Sequence, residues 1–357
     1  MYLKHFGLTA QPFRLTPDIG FMFMSEPHSR AKSLMDYTVW NREGFVVITG
    51  EIGCGKTTLI QRLLLELDKS VVVVAKLFQT QLDEVEFLQA VLLEFGLNPQ
   101  NANKVDLLDM LNSFLVEQFL QHKQIVLVVD EAHNLSRKVL EEIRILAGLE
   151  AHKEKILHVI LVGQPQLNEI LDQPEMAQLK ERVKLRYHIR ALSEEEHAGY
   201  IRHRLSIVGA SNRTLFPPET LPLIYQYSGG IPRLINTLCD TVLICACADN
   251  LSEITTEIVE TAAKELQWPY YAQRVDKRHP KTTRGTVDGG VQEILREHTQ
   301  ALAATAARIG RLEALLPALE SIGKRLEAIQ TQVGNLMQRR SVQPQQDSTA
   351  DRKQGSG

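Results

Sequence analysis

Only four of the 357 residues are cysteine, too few for disulfides to frame a chain of this length. Cys239, Cys245 and Cys247 fall close together without histidines at metal-ligand spacing, so they read as small apolar residues of a helix face in a reducing compartment. No apolar run approaches the roughly 18 to 20 residues of a membrane span. The longest, Val71 to Ala75 and Val242 to Ala248, stop far short. The N-terminus lacks the charged start and apolar stretch of a signal peptide. Neither sign of charge dominates: 40 Lys and Arg against 43 Asp and Glu leave a net charge of −3. A strongly basic chain is thereby excluded, though a local basic patch is not. What remains is an ordinary globular mixture, expected in the cytoplasm and long enough for a large domain with appendages.

From Phe45 onward, continuous apolar runs alternate with helical patterns. Phe45 to Ile48, Val71 to Val74, Ile125 to Val129 and Leu157 to Val162 read as strands buried on both faces, with Lys184 to Ile189 as an alternating fifth strand nearer an edge. Helices are expected around residues 57–67, 84–95, 105–121, 137–149 and 165–182, which gives an α/β fold with a parallel sheet covered on both sides. Residues 1–191 form this core, and 192–268 an all-helical domain whose first helix opens with a Ser193/Glu196 capping box. A basic linker follows over 269–290, carrying Arg274, Lys277, Arg278, Lys281 and Arg284. Residues 291–338 show heptad spacing that predicts a coiled coil, interrupted beside Pro317, or else one amphipathic helix folded back on the body. Residues 339–357 read as a disordered tail.

Directly after the first strand stands Gly50-Glu51-Ile52-Gly53-Cys54-Gly55-Lys56-Thr57, followed by Thr58. This is the P-loop pattern GxxxxGK[ST] in its required place between a strand and a helix. Its glycines let backbone N–H groups turn onto phosphate oxygens at a helix N-terminus. Lys56 is placed to reach the β- and γ-phosphates of ATP, and Thr57 to ligate Mg²⁺. The third strand delivers Asp130 and Glu131 to the same sheet edge: Asp130 as a second Mg²⁺ holder, Glu131 as the base that polarises the attacking water. Gln164, at the end of the fourth strand, orients that water or touches the γ-phosphate, or else is a turn residue that starts the next helix.

These residues resemble the AAA+ ATPases, and more narrowly the ExeA (GspA) family that includes MshM and the exosortase- and exopolysaccharide-associated ATPases. The likeness is carried by His5-Phe6-Gly7-Leu8, Pro12-Phe13, Leu15-Thr16-Pro17-Asp18, Gly44 to Glu51, Val162-Gly163-Gln164-Pro165 and Pro232-Arg233-Leu234-Ile235-Asn236, over about residues 1 to 268. The resemblance implies an AAA+ strand order with the helical domain as a lid over the nucleotide. It also implies sensor-1 and sensor-2 roles for Gln164 and Arg233, and an arginine finger at Arg182 acting on a neighbouring subunit. ExeA continues into a membrane span and a peptidoglycan-binding region, and neither pattern follows here.

The leading expectation is an ATP-dependent homo-oligomer that assembles a secretion, pilus or polysaccharide-export apparatus, meeting a protein partner at the inner membrane through residues 291–338. A competing reading is a DNA-bound regulator resembling transposition-targeting ATPases, motivated by the basic stretch Arg274 to Arg284. Against it stand the net charge and the lack of a recognisable DNA-binding motif. In a third, the heptads are the working end of a scaffold and the ATPase core is its switch.

Overall fold

Strands that are apolar on both faces pack only where both faces are covered. In the computed structural model, which describes residues 2–278 except Arg42, Gln79, Gln100, Asn101, His152, Lys153, Ser211 and Asn212, the expected runs become strands. They are β1 (Phe45–Gly50), β2 (Val72–Leu77), β3 (Gln124–Val129), the two-residue ladder β4 (Glu150–Ala151) and β5 (Glu154–Lys155), β6 (Leu157–Gly163) and β7 (Leu185–Ile189). Five form one parallel sheet in the order β2-β3-β6-β1-β7. The insertion of β6 between β1 and β3 puts the end of β6 between the P-loop and the Asp130-Glu131 pair. As its alternating pattern implied, β7 lies at an edge.

Alternate residues of each strand serve opposite layers. Val47, Leu127, Val129, Val159 and Leu161 pack into one core with α4 (Glu84–Glu94), α5 (Lys104–Leu120) and α6 (Arg137–Leu146). Val46, Ile48, Val126, Val128 and Ile160 pack into the other with α2 (Glu26–Trp40) and α3 (Lys56–Glu66). The helix expected over 165–182 is broken into α7 (Gln166–Leu171), a 3-10 turn at Pro174–Met176 and α8 (Ala177–Arg182). Pro174 has no N–H to continue the ladder.

A third core belongs to the helical lid, formed by α9 (Glu194–Ile207), α10 (Leu221–Ser228), α11 (Pro232–Ala248) and α12 (Thr256–Glu265). The chain's start, grouped by sequence with the sheet, packs here instead. Tyr2, Phe6, Leu8 and Phe13 are buried in the lid cluster, and the Tyr2 hydroxyl of α1 (Tyr2–Phe6) donates to Asp240 at 2.6 Å. Phe13 is 1% exposed and meets Phe216 edge to face at 5.8 Å. Phe13→Ala is expected to cost about 3–5 kcal/mol, read as a lowered urea midpoint.

The residues read as a basic linker begin with a helix, α13 (Tyr271–Arg278), against α10. Arg274 stacks 4.5 Å from the Trp268 ring centre and donates to the Tyr227 carbonyl. The remainder of the linker, the heptads of 291–338 and the tail of 339–357 lie outside the described residues. Among the described residues no helix is long and apolar enough to cross a membrane.

His197, in the first turn of α9, is fully buried with neither ring nitrogen hydrogen-bonded, and burial lowers its pKa from 6.5 to about 4. The unfolded chain therefore takes up this proton before the fold does. Its contribution to stability is whole above pH 6.5 and lost as pH falls toward 4, on the order of 3 kcal/mol. Urea unfolding at a series of pH values should show His197→Phe losing less stability than wild type across that window.

Candidate nucleotide site

The P-loop turns because two of its glycines adopt left-handed backbone, Gly53 at φ 84° and Gly55 at φ 92°, the second capping α3. At Gly53 a Cβ would stand 2.4 Å from the Cβ of Arg233, so the lid approaches the loop more closely than any side chain at this position allows. Lys56 is buried, and its ammonium donates to the carbonyls of Gly50 at 2.8 Å and Glu51 at 3.0 Å, curling the loop around itself. The Thr57 hydroxyl donates to Asp130 Oδ2 at 2.7 Å, and the Glu131 backbone N–H to Asp130 Oδ1 at 2.9 Å. Burial pushes the Asp130 carboxyl above its usual pKa, against the opposing pull of the Thr57 hydrogen bond. A hydroxyl and a carboxylate this close are hard oxygen donors of the kind Mg²⁺ takes. Glu131 sits at φ 51°, a left-handed conformation that costs a non-glycine residue strain and is held by its surroundings.

Lys56, Thr57 and Glu131 line one cavity of about 350 Å³. Its floor is Ile52 to Thr58 and Glu131, and one wall is Pro232, Arg233 and Asn236 of the lid. Arg233 is tied to the loop through its backbone N–H, which donates to the Gly53 carbonyl at 3.1 Å. The roof is the N-terminal segment, Arg14 to Asp18 and Phe21 to Phe23. Arg204 of α9 fastens that roof. Buried itself, it donates to the Pro12 carbonyl and to the Tyr200 hydroxyl, and stacks 4.9 Å from the Phe21 ring centre.

The AAA domain family matches residues 40–171. General secretion pathway protein A of Aeromonas hydrophila is 38% identical over 267 residues, which are 74% of this chain and 48% of that protein. This is an AAA domain of the GspA-like kind. The chain spans about half the length of the curated relative it matches. Solved structures with the same fold include Cdc6p of Pyrobaculum aerophilum, with a TM-score of 0.56 at 17% identity over 69% of this chain and 70% of that one. Aeropyrum pernix ORC2, in ADPNP-ADP complexes, gives 0.51 at 15% over 70% and 72%. The Drosophila ORC bound to DNA gives 0.53 at 16% over 76% and 69%.

In this AAA domain Ile52 to Thr58, Glu131 and Arg233 line the cavity, whereas Gly50, Glu51 and Asp130 stand outside its lining, Asp130 joined to it through the Thr57 hydroxyl. Gln164 stands outside its lining, with its backbone N–H 3.4 Å from His133 Nδ1. Arg182 stands at the opposite end of the sheet, before the start of β7, and donates to the Arg144 carbonyl at 2.7 Å. It does not reach the P-loop of its own chain.

Sequence reasoning missed His28. Its Nε2–H donates to the Cys54 carbonyl at 2.8 Å while Nδ1 accepts from the Ser25 hydroxyl at 2.6 Å, so a buried neutral imidazole props the loop from behind. The signal was available: Ser25 with Pro27 two residues on is a helix start, and His28, Ala31, Met35 and Val39 bury one face of α2. The roof carries no such local signal, since nothing in its residues says where an extended segment lies.

Proposed function

We propose that this chain binds and hydrolyses Mg·ATP and uses that cycle to assemble or remodel a secretion, pilus or polysaccharide-export apparatus. The observation that carries the reading is the meeting of Lys56, the Thr57–Asp130 pair and Glu131 around one cavity closed by the lid. Lys56 leaves its loop carbonyls for the β- and γ-phosphates, and Thr57 and Asp130 hold Mg²⁺. The bound ion neutralises phosphate charge. Glu131 orients the attacking water and accepts its proton. Arg233, on the first turn of α11, brings a positive charge across the boundary between sheet and lid, so closure of the lid depends on what the cavity holds. Arg182, at the far end of the sheet, serves the nucleotide of a neighbouring subunit in an ATP-dependent homo-oligomer. The secretion-pathway relative supports an envelope partner, with residues 291–338 as its docking segment. Deleting 287–340 should leave hydrolysis intact and abolish recovery of that partner.

Light scattering of the full chain tests the assembly half of this reading. The Glu131→Gln protein with Mg·ATP is expected to form oligomers that Arg182→Ala disperses while ATP stays bound. ATP-loaded protein that remains monomeric at high concentration would rule it out. DNA binding is the competing outcome, although Arg274, the first cation of the basic stretch, is engaged by Trp268 and Tyr227. Anisotropy of labelled duplex DNA across a salt series separates the two, because phosphate contacts weaken steeply with salt.

A further inference from the structure

One side chain links Glu131 to the end of β6. His133 lies on a 3-10 turn, Ala132–Asn134, packed against β6 and α7. Its Nδ1 is 3.4 Å from Glu131 Oε2 and 3.4 Å from the backbone nitrogen of Gln164. Both distances are long for hydrogen bonds, so the ring stands between its two partners. Their demands are opposite. The Gln164 N–H needs a lone pair on Nδ1, whereas the Glu131 carboxylate needs a proton there. Burial lowers the His133 pKa and favours a neutral ring, with Glu131, Asp130 and Lys56 as the charged groups around it. A neutral imidazole has one proton for two nitrogens, so Nδ1 serves one partner at a time.

We propose that His133 is a positioning residue that holds the Glu131 carboxylate in one of two arrangements and couples the choice to the backbone of Gln164. With its proton on Nδ1, the ring donates to Glu131 and holds the carboxylate in the orientation that faces the attacking water. With its proton on Nε2, Nδ1 accepts from the Gln164 N–H and Glu131 loses that restraint. The proton passes between ring nitrogens through solvent, and net charge is unchanged. Gln164 directly follows β6, the strand between β1 and β3, so a shift of its amide when phosphate binds frees Nδ1 for the arrangement that holds Glu131. The left-handed backbone of Glu131 fits a carboxylate held poised.

The inference rests on the ATPase reading above, and wild-type hydrolysis separates the two. A wild-type chain that binds ATP without turning it over ends both, before any variant is made. Otherwise, kcat, KM and ATP affinity are measured on the full chain for His133→Asn, His133→Ala and His133→Phe. The amide of His133→Asn reaches the place of Nδ1 and accepts or donates there, so kcat is expected within about threefold of wild type. His133→Ala and His133→Phe should lower kcat by about tenfold or more while KM and affinity change by less than about twofold. Rescue by His133→Phe but not by His133→Asn would reduce the residue to a filler of space and overturn the proposal. Equal kcat in all three variants would also overturn it.

Discussion

Lys56→Ala should weaken ATP binding by about a hundredfold or more, because it removes a charge-assisted contact worth roughly 1.5–3 kcal/mol to each phosphate it touches. The ammonium is already desolvated in the fold, at 6% exposure, and is held by two loop carbonyls, so little further water must be stripped from it when nucleotide arrives. Titration with a fluorescent ATP analogue measures the effect. The same substitution leaves the Gly50 and Glu51 carbonyls without their buried donor, so a thermal melt should be run beside the titration. A variant that melts like wild type and binds ATP with wild-type affinity would remove this cavity from consideration as the nucleotide site.

Glu131→Gln should separate binding from chemistry. The amide fills the same space and can still meet His133, but it cannot take a proton from water. Loss of a general base costs on the order of 10²- to 10⁴-fold in rate, while ATP affinity should stay within a few-fold, since no group that holds phosphate is changed. Single-turnover hydrolysis on preloaded protein measures this directly. Hydrolysis at the wild-type rate would show that the base is another group. The carboxylate of Asp130 is a poor substitute: each of its oxygens already accepts a hydrogen bond, one from the Thr57 hydroxyl and one from the Glu131 backbone N–H, and it stands outside the cavity lining. Where the two substitutions agree, with Lys56→Ala failing to bind and Glu131→Gln binding without turnover, the roles within the cavity are fixed.

Much of the site was legible because its signals are consecutive in the chain. A P-loop needs glycines and a Lys-Thr pair within eight residues after a strand, and Asp130-Glu131 needs only an apolar strand to carry it to the sheet edge. Arg233 was legible through Pro232-Arg233-Leu234-Ile235-Asn236, which opens α11. The strands were readable for the same reason, since residues buried on both faces leave an unbroken apolar run. Even the edge position of β7 showed in its alternation. The break in the helix over 165–182 could have been read from Pro174. The small helix α13 hid within a stretch whose composition, rich in Arg and Lys, resembles a linker.

The sequence alone therefore determined the α/β sheet, the glycine-rich P-loop and the carboxylate pair, since each is encoded by neighbouring residues through backbone freedom or alternating burial. Tertiary structure decided what surrounds them. It laid the N-terminal segment over the cavity and bolted it there with Arg204, about 190 residues away in sequence. It set His28 behind Cys54, put Arg182 at the far end of the sheet, and brought His133 between Glu131 and the end of β6. Such contacts join residues that share no local pattern. Each arises only when the strand order and the two sheet faces have folded distant parts of the chain against one another.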